Sequence, residues 1–207
     1  MFALVDKSDN SITRMLNGNK GITIGDNQYP RAIFSLWSEA ERNAINIYTV
    51  TIDNSKKKDE RWYINTDITY SFDGTNATGS YGTATARSHA DTLYTAQDET
   101  DGLGTEGDVR VEGLKTILIR TLKRNVANEL IKTDWYITRK SEKNTAIPSA
   151  ITTHRNLVRS RQAAMETAIT NASDTPALET LYTYVNTADE GDPEVIARPL
   201  PEIPTLE

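Results

Sequence analysis

Cysteine is absent from the 207 residues, which excludes disulfides, thiolate metal sites and cysteine nucleophiles. A chain without it fits folding in a reducing compartment. Histidine is scarce: His89 and His154 are the only two. They form no pair at metal-ligand spacing, so no metal site is expected. His154 falls beside Arg155 and near Arg159, and positive neighbours make a histidine a poor general base. Long apolar runs are missing as well. Nothing approaches the ~18 residues that span a bilayer, and the opening MFALVDKSDN lacks the basic region of a signal peptide. The chain reads as soluble, with no membrane partner. Hydrophobic residues make up 37% and aromatics 7%, which predicts two modest cores rather than one large one.

Charge is plentiful and unevenly placed. Residues 89–109 carry six acids and no Lys or Arg, residues 110–161 carry 12 bases against four acids, and residues 188–207 carry six acids and Arg198. A basic block therefore lies between acidic flanks. It reads either as a solvated helical surface or as a docking face for an acidic partner or for the chain's own acidic segments. Nucleic acid is disfavoured, because Trp135 and Tyr136 are the only aromatics in the basic block and base stacking needs more.

The pattern predicts an α+β fold. Residues 2–5 and 12–16 read as a hairpin and 17–27 as a glycine-rich loop. Ser38-x-x-Glu41 has capping-box spacing and predicts a short helix over 39–46. Ile33, Phe34, Leu36 and Trp37 would pin that helix to the β layer. Residues 47–53 alternate as a strand, and 62–72 and 78–87 supply two more. The expectation is an antiparallel β-meander with one short helix over 1–97 and an acidic, glycine-rich linker over 98–108. A helical domain over 109–187 and an acidic, proline-rich extended tail over 188–207 follow. In the helical domain, Leu114, Leu118, Leu122, Val126 and Leu130 mark a helix over 109–131 with Gly113 inside it. Residues 133–146 read as a polar connection. Pro148 opens a second long helix that ends at 171–173, and Thr175-Pro176 opens a short third one. The tail holds four of the seven prolines. It is expected to need a neighbouring surface for order, and its removal to weaken assembly without unfolding the domain.

No catalytic constellation stands out, and no cofactor is implied. Asp98, Glu99, Asp101 and Glu106 cluster around Gly102, but their spacing does not match a calcium loop. The sequence reads as that of a non-enzyme.

One stretch carries more information. Thr133-Asp134-Trp135, followed by Tyr136, comes at the end of an amphipathic helix, and after Pro148 a second helix carries His154-Arg155-x-x-Val158-Arg159. Over roughly residues 110–172 this resembles the phage tail assembly chaperone family, whose C-terminal pattern tail fibre assembly proteins share. The family's second element is Tyr-Arg-x-x-Leu-Arg; here His154 replaces the tyrosine and Val158 the leucine. Tyr29-Pro30 ahead of Ile33-Phe34-Ser35-x-Trp37 looks like the leading part of phage tail proteins of this group. The resemblance implies a non-catalytic tail protein, made in the host bacterial cytoplasm and carried in the virion tail. Its partners would be other phage tail proteins (fibre, baseplate or tail tube components), and it would work as an oligomer within an assembly. The alternative is a transient assembly chaperone. A second alternative is a receptor- or carbohydrate-binding module, with Tyr63, Tyr70 and Tyr81 lining an exposed face. The motif residues Thr133, Asp134, Trp135, Tyr136, Arg155, Val158 and Arg159 are the candidate partner-binding set. Within it Trp135 is expected to bury its ring and lock the hairpin turn, and Asp134 to cap the chain or pair with Arg155 or Arg159.

Overall fold

A computed structural model describes residues 1–190 and 192–206. The chain divides into two compact units, Met1–Thr85 and Ala86–Glu207, and the α+β class is as expected.

The first unit is built on a five-stranded sheet. Strands β1 (Phe2–Asp6) and β2 (Ser11–Leu16) form the expected hairpin. The glycine-rich stretch that follows is partly ordered as a second, small hairpin of β3 (Ile22–Ile24) and β4 (Asn27–Tyr29). Two short helices come next, α1 (Ile33–Leu36) and α2 (Glu39–Ala44). Ser38 and Glu41 close the capping box at the start of α2, satisfying two N–H groups that a helix terminus otherwise leaves open. Strand β5 (Ile47–Asp53) enters the sheet beside β1.

Alternation along the strands fills both faces. Ala3, Val5, Tyr48 and Val50 join Phe72 and Ala77 in one core cluster. Phe2, Leu4 and Ile47 go to the other side, with Ile22, Ile33, Phe34 and Trp37. Leu36, expected to help pin the helix, is instead exposed.

The antiparallel meander does not hold beyond this point. The stretch 62–72 is not one strand: buried Trp62 precedes a two-residue strand β6 (Tyr63–Ile64), and a break separates that from β7 (Ile68–Phe72). Strand β8 (Ala77–Tyr81) then turns back and inserts between β5 and β7, parallel to β5 and antiparallel to β7. Gly79 explains why β8 fits there. It sits opposite both Ile52 and Tyr70, and a Cβ on it would come within 2.8 Å of Tyr70 and 2.9 Å of Ile52 and Ile68. Their side chains close over the space a larger residue would need. Strand β9 (Thr85–Ala86) ends this region.

The unit boundary therefore lies well before residue 97, and 98–108 is not a linker. It forms part of a local excursion in the second unit. Strand β10 (Thr92–Leu93) pairs with β11 (Val109–Val111). Between them stands helix α3 (Ala96–Thr100), capped by a Thr95–Asp98 capping box. Glycine-rich acidic composition hid these local hydrogen bonds, which need only short polar side chains.

The first long helix, α4 (Leu114–Ile131), starts five residues later than expected, because 109–111 is strand β11 and Gly113 is the N-cap. Its opening N–H groups find partners far upstream. Gly113 donates to Asp91 Oδ1 at 2.6 Å, Leu114 to the Ser88 carbonyl at 3.0 Å, and Lys115 to the His89 carbonyl at 3.1 Å. Glycine is required here because a Cβ would collide with the Ala90 backbone. The expected polar connection contains a helix, α5 (Asp134–Lys143), which ends at Asn144 in the left-handed region with φ 51°. Helix α6 (Ser149–Asn171) and helix α7 (Thr175–Tyr182) follow as expected, the latter capped by Asp174. Leu118, Leu122 and Val126 of α4 are buried, as are Ile151, Val158, Met165 and Ile169 of α6, spaced at four- or seven-residue steps.

The tail is not a free extended segment. Strand β12 (Val185–Asn186) pairs with β13 (Ile196–Ala197). Beyond them Leu200 is fully buried, with its N–H on the Leu181 carbonyl at 3.0 Å. Proline blocks long pairing but not anchoring by single apolar side chains. Removing 188–207 would take Leu200 out of the core, so truncation is expected to destabilise this unit rather than leave it intact.

Candidate functional site

The motif residues separate into a buried clasp and an exposed face. Arg155 lies on the apolar stripe of α6, between Ile151 and Val158, and is buried. Its Nη1 donates to the Leu130 carbonyl at 2.9 Å, to Thr133 Oγ1 at 2.7 Å and to Asp134 Oδ1 at 2.8 Å. Thr133 is fully buried, and its hydroxyl donates to the Leu130 carbonyl at 3.0 Å. All three acceptors converge on this one nitrogen, so a single corner of the guanidinium fixes the junction of α4 and α5 onto α6, while the buried Nε has no hydrogen-bond partner among the described residues. Asp134 pairs with Arg155 and not with Arg159. Val158 is fully buried beneath the clasp, whereas Arg159 is exposed.

Trp135 does not lock the turn. It is 52% exposed. Its ring lies against Tyr136, with centroids 3.9 Å apart. The Arg139 guanidinium covers both rings, at 4.6 Å from Trp135 and 5.2 Å from Tyr136, a cation–π arrangement. The reason is steric placement: with Asp134 turned in to Arg155, its neighbour along the first turn of α5 points elsewhere. Ile131 and Ile137, on either side in sequence, are 67% and 43% exposed. Arg139 and Lys143, four and eight residues beyond Trp135, fall on its side of α5, whereas Ile137 and Lys140 fall on another side of the helix.

A second polar cluster was not anticipated. Glu129 is buried. Its carboxylate accepts from Lys132 Nζ and from the Leu206 N–H at 2.8 Å, and lies 3.2 Å from His154 Nε2. Burial pushes the Glu129 carboxyl up, but the bonds from Lys132, Leu206 and His154 outweigh it and hold the group below its usual range. The sequence does contain a signal for it. Glu129 falls three residues after Val126 on the buried stripe of α4, where an unpaired acid would be costly. His154, expected among arginines, faces this carboxylate. Half-buried Asp91 and fully buried Leu200, the latter expected in an extended tail, also belong to the framework. Asp91 is held below the usual carboxylate range by the Gly113 N–H first and the Thr116 hydroxyl second.

The proposed tyrosine face of the first unit is not an open stacking surface. Tyr63, Tyr70 and Tyr81 are each half-buried. Tyr70 packs over the core, while Lys58 and Lys57 lie over Tyr63 and Tyr81 at 5.7 Å. The first unit does hold an open cavity of about 610 Å³, lined by Met1, Met15, Leu16, Ile22 and Phe34 with Arg14 and Lys20 at its edge. No paired acid and base converge there.

Among the described residues no group of three or more His, Asp or Glu is placed to hold a metal ion, and no helix is long and apolar enough to cross a membrane. Compared with known proteins, the chain matches no family model, no curated protein and no solved structure.

Proposed function

We propose that this chain is a non-catalytic binding protein of a bacteriophage tail, joining other tail components as a fibre, baseplate or adaptor part. The observation that carries the binding role is the half-exposed Trp135 on α5, stacked with Tyr136 under Arg139 and flanked in sequence by exposed Ile131 and Ile137. Tryptophan, tyrosine and arginine are the side chains that dominate protein interfaces. They stand here on a helix whose position the Arg155 clasp fixes. The phage assignment rests on the Thr133-Asp134-Trp135 and Arg155-x-x-Val158-Arg159 resemblance, and the clasp gives most of that pattern a shared physical purpose.

The transient-chaperone reading is favoured by one observation. The proline-rich tail seats Leu200 in the chain's own core, so its order calls for no permanent neighbour. Mass spectrometry of purified virions from the phage that encodes this chain separates the two. Presence at stoichiometric level supports a structural part. Absence from virions, together with cross-links to tail proteins in infected cells, supports a chaperone. Absence from virions without any cross-link to tail proteins would overturn the phage-tail reading.

A further inference from the structure

The second unit carries two exposed surfaces of opposite charge, and neither is neutralised within one copy. The first is the β12–β13 hairpin. Tyr184, Val185, Val195 and Ile196 are each about half exposed. Its loop region presents the exposed carboxylates of Asp189, Glu190, Asp192 and Glu194. None of these four has an ion-pair partner among the described residues. The hairpin is nevertheless held in place. Arg198 lies over Tyr182 and Tyr184 at 5.6 and 5.3 Å and donates from Nε to the Leu200 carbonyl at 3.0 Å. A two-stranded ribbon with apolar residues in water is marginal by itself, and a large exposed apolar patch marks a contact surface.

The second surface is α5. Trp135 is exposed on one side of it, in line with Arg139 and Lys143, and Ile137 and Lys140 are exposed on another side; neither lysine has an ion pair among the described residues. Glu142 is also exposed on α5 without an ion pair among the described residues, but Arg139, Lys140 and Lys143 outnumber it, so α5 is net basic whereas the loop of the hairpin carries acids alone.

The geometry points to a second copy of this chain as the occupant: the acidic hairpin of one copy docks on the basic, aromatic face of α5 of the next. Such a contact joins two different surfaces, so it is head-to-tail and propagates into a ring or a filament according to the rotation between copies. Matching a negative patch to a positive one steers the encounter and fixes its register, and the apolar residues inside the charged rim supply burial. This inference stands on the chain's own surfaces and does not depend on the phage assignment.

Sedimentation velocity on the full chain tests it, in low and in high salt. The wild-type protein should associate in a concentration-dependent way, and association should weaken by about tenfold or more as salt screens the charges. Two charge-reversed variants, Asp189→Lys/Glu194→Lys and Lys140→Glu/Lys143→Glu, should each sediment as monomers. All four positions are exposed, so unchanged thermal melts verify the fold. Mixed together, the two variants should associate again, because each retains the surface the other has lost. A wild-type protein that stays monomeric in low salt, variants that associate as well as the wild type, or a mixture that remains monomeric would each overturn the inference. A monomeric wild type would leave binding to a different tail protein standing, since virion mass spectrometry and cross-linking test that separately.

Discussion

The two units treat their apolar residues differently. In the first, a sheet with alternating strands buries side chains on both faces, and only Met1, Leu36 and Ile64 stand out among its large exposed hydrophobics. The second leaves Ile131, Trp135, Ile137, Leu157, Val185, Val195 and Ile196 exposed, among others. Yet its interior is no less well made, with Val158, Ile169, Leu178 and Leu200 fully buried. Exposed apolar surface in the second unit is therefore not a sign of a poor core. It is surface left over after the core is satisfied, and such surface is best explained by a partner.

That contrast can be broken by mutation. The largest effect is expected at Leu200. Leu200→Ala should lower the urea-unfolding stability of the second unit by about 2–5 kcal/mol, the range for emptying a leucine site in a packed core. A loss near zero would mean that the tail is not part of this core. Arg155→Ala should come next, at about 1–3 kcal/mol, through loss of its hydrogen bonds and of the packing of its stem. The penalty stays below that of a fully buried ion pair because Asp134 is 54% exposed and rehydrates. An Arg155→Lys variant should recover only part of the loss, since a compact, strongly hydrated ammonium costs more to bury than a guanidinium and does not fill the same space.

Acid should act more gently. Asp91 and Glu129 both have carboxyls held below their ordinary range in the folded protein. A depressed folded pKa contributes stability that is present above the unfolded value and is lost as pH falls through the folded one. Urea midpoints of the second unit should therefore decline below about pH 4. Asp91→Asn should lower stability at neutral pH and flatten that decline. An unchanged acid limb would show that Asp91 does not cap α4 in solution. The smallest effect is expected at Trp135: Trp135→Ala should change stability by no more than about 0.5 kcal/mol, as at other surface positions. A loss comparable to that of Leu200→Ala would make Trp135 a structural residue and remove the contrast between clasp and face.

Much of this was legible in the residues. Helical periodicity located α6 and α7, alternation gave β5 its bounds, and the Ser38–Glu41 spacing marked α2. These signals are local, and local physics decides them. The insertion of β8 beside β5 was not legible, because it depends on long-range pairing across Gly79, and the pattern of a strand says nothing about its neighbour. Helix α5 was missed because its polar residues carry no apolar stripe; the clasp of Arg155 on Thr133 and Asp134 positions it instead. For the candidate site, the sequence picked out the right segment but gave Trp135 the wrong task. A tryptophan beside a helix break reads as a buried lock until one knows that Asp134 takes the inward position. Likewise, Leu200 looked like part of a free tail because charge and proline dominated its surroundings, whereas one apolar side chain was enough to anchor it.

The central claim is that the Trp135 face of α5 is covered by another protein chain when this protein acts. Hydroxyl-radical footprinting read by mass spectrometry tests it most directly, comparing dilute purified protein with protein in the cells that naturally make it. Trp135 should be oxidised readily in the dilute protein and protected in the cell, while buried Trp62 stays protected in both. Equal oxidation of Trp135 in the two settings would contradict the account.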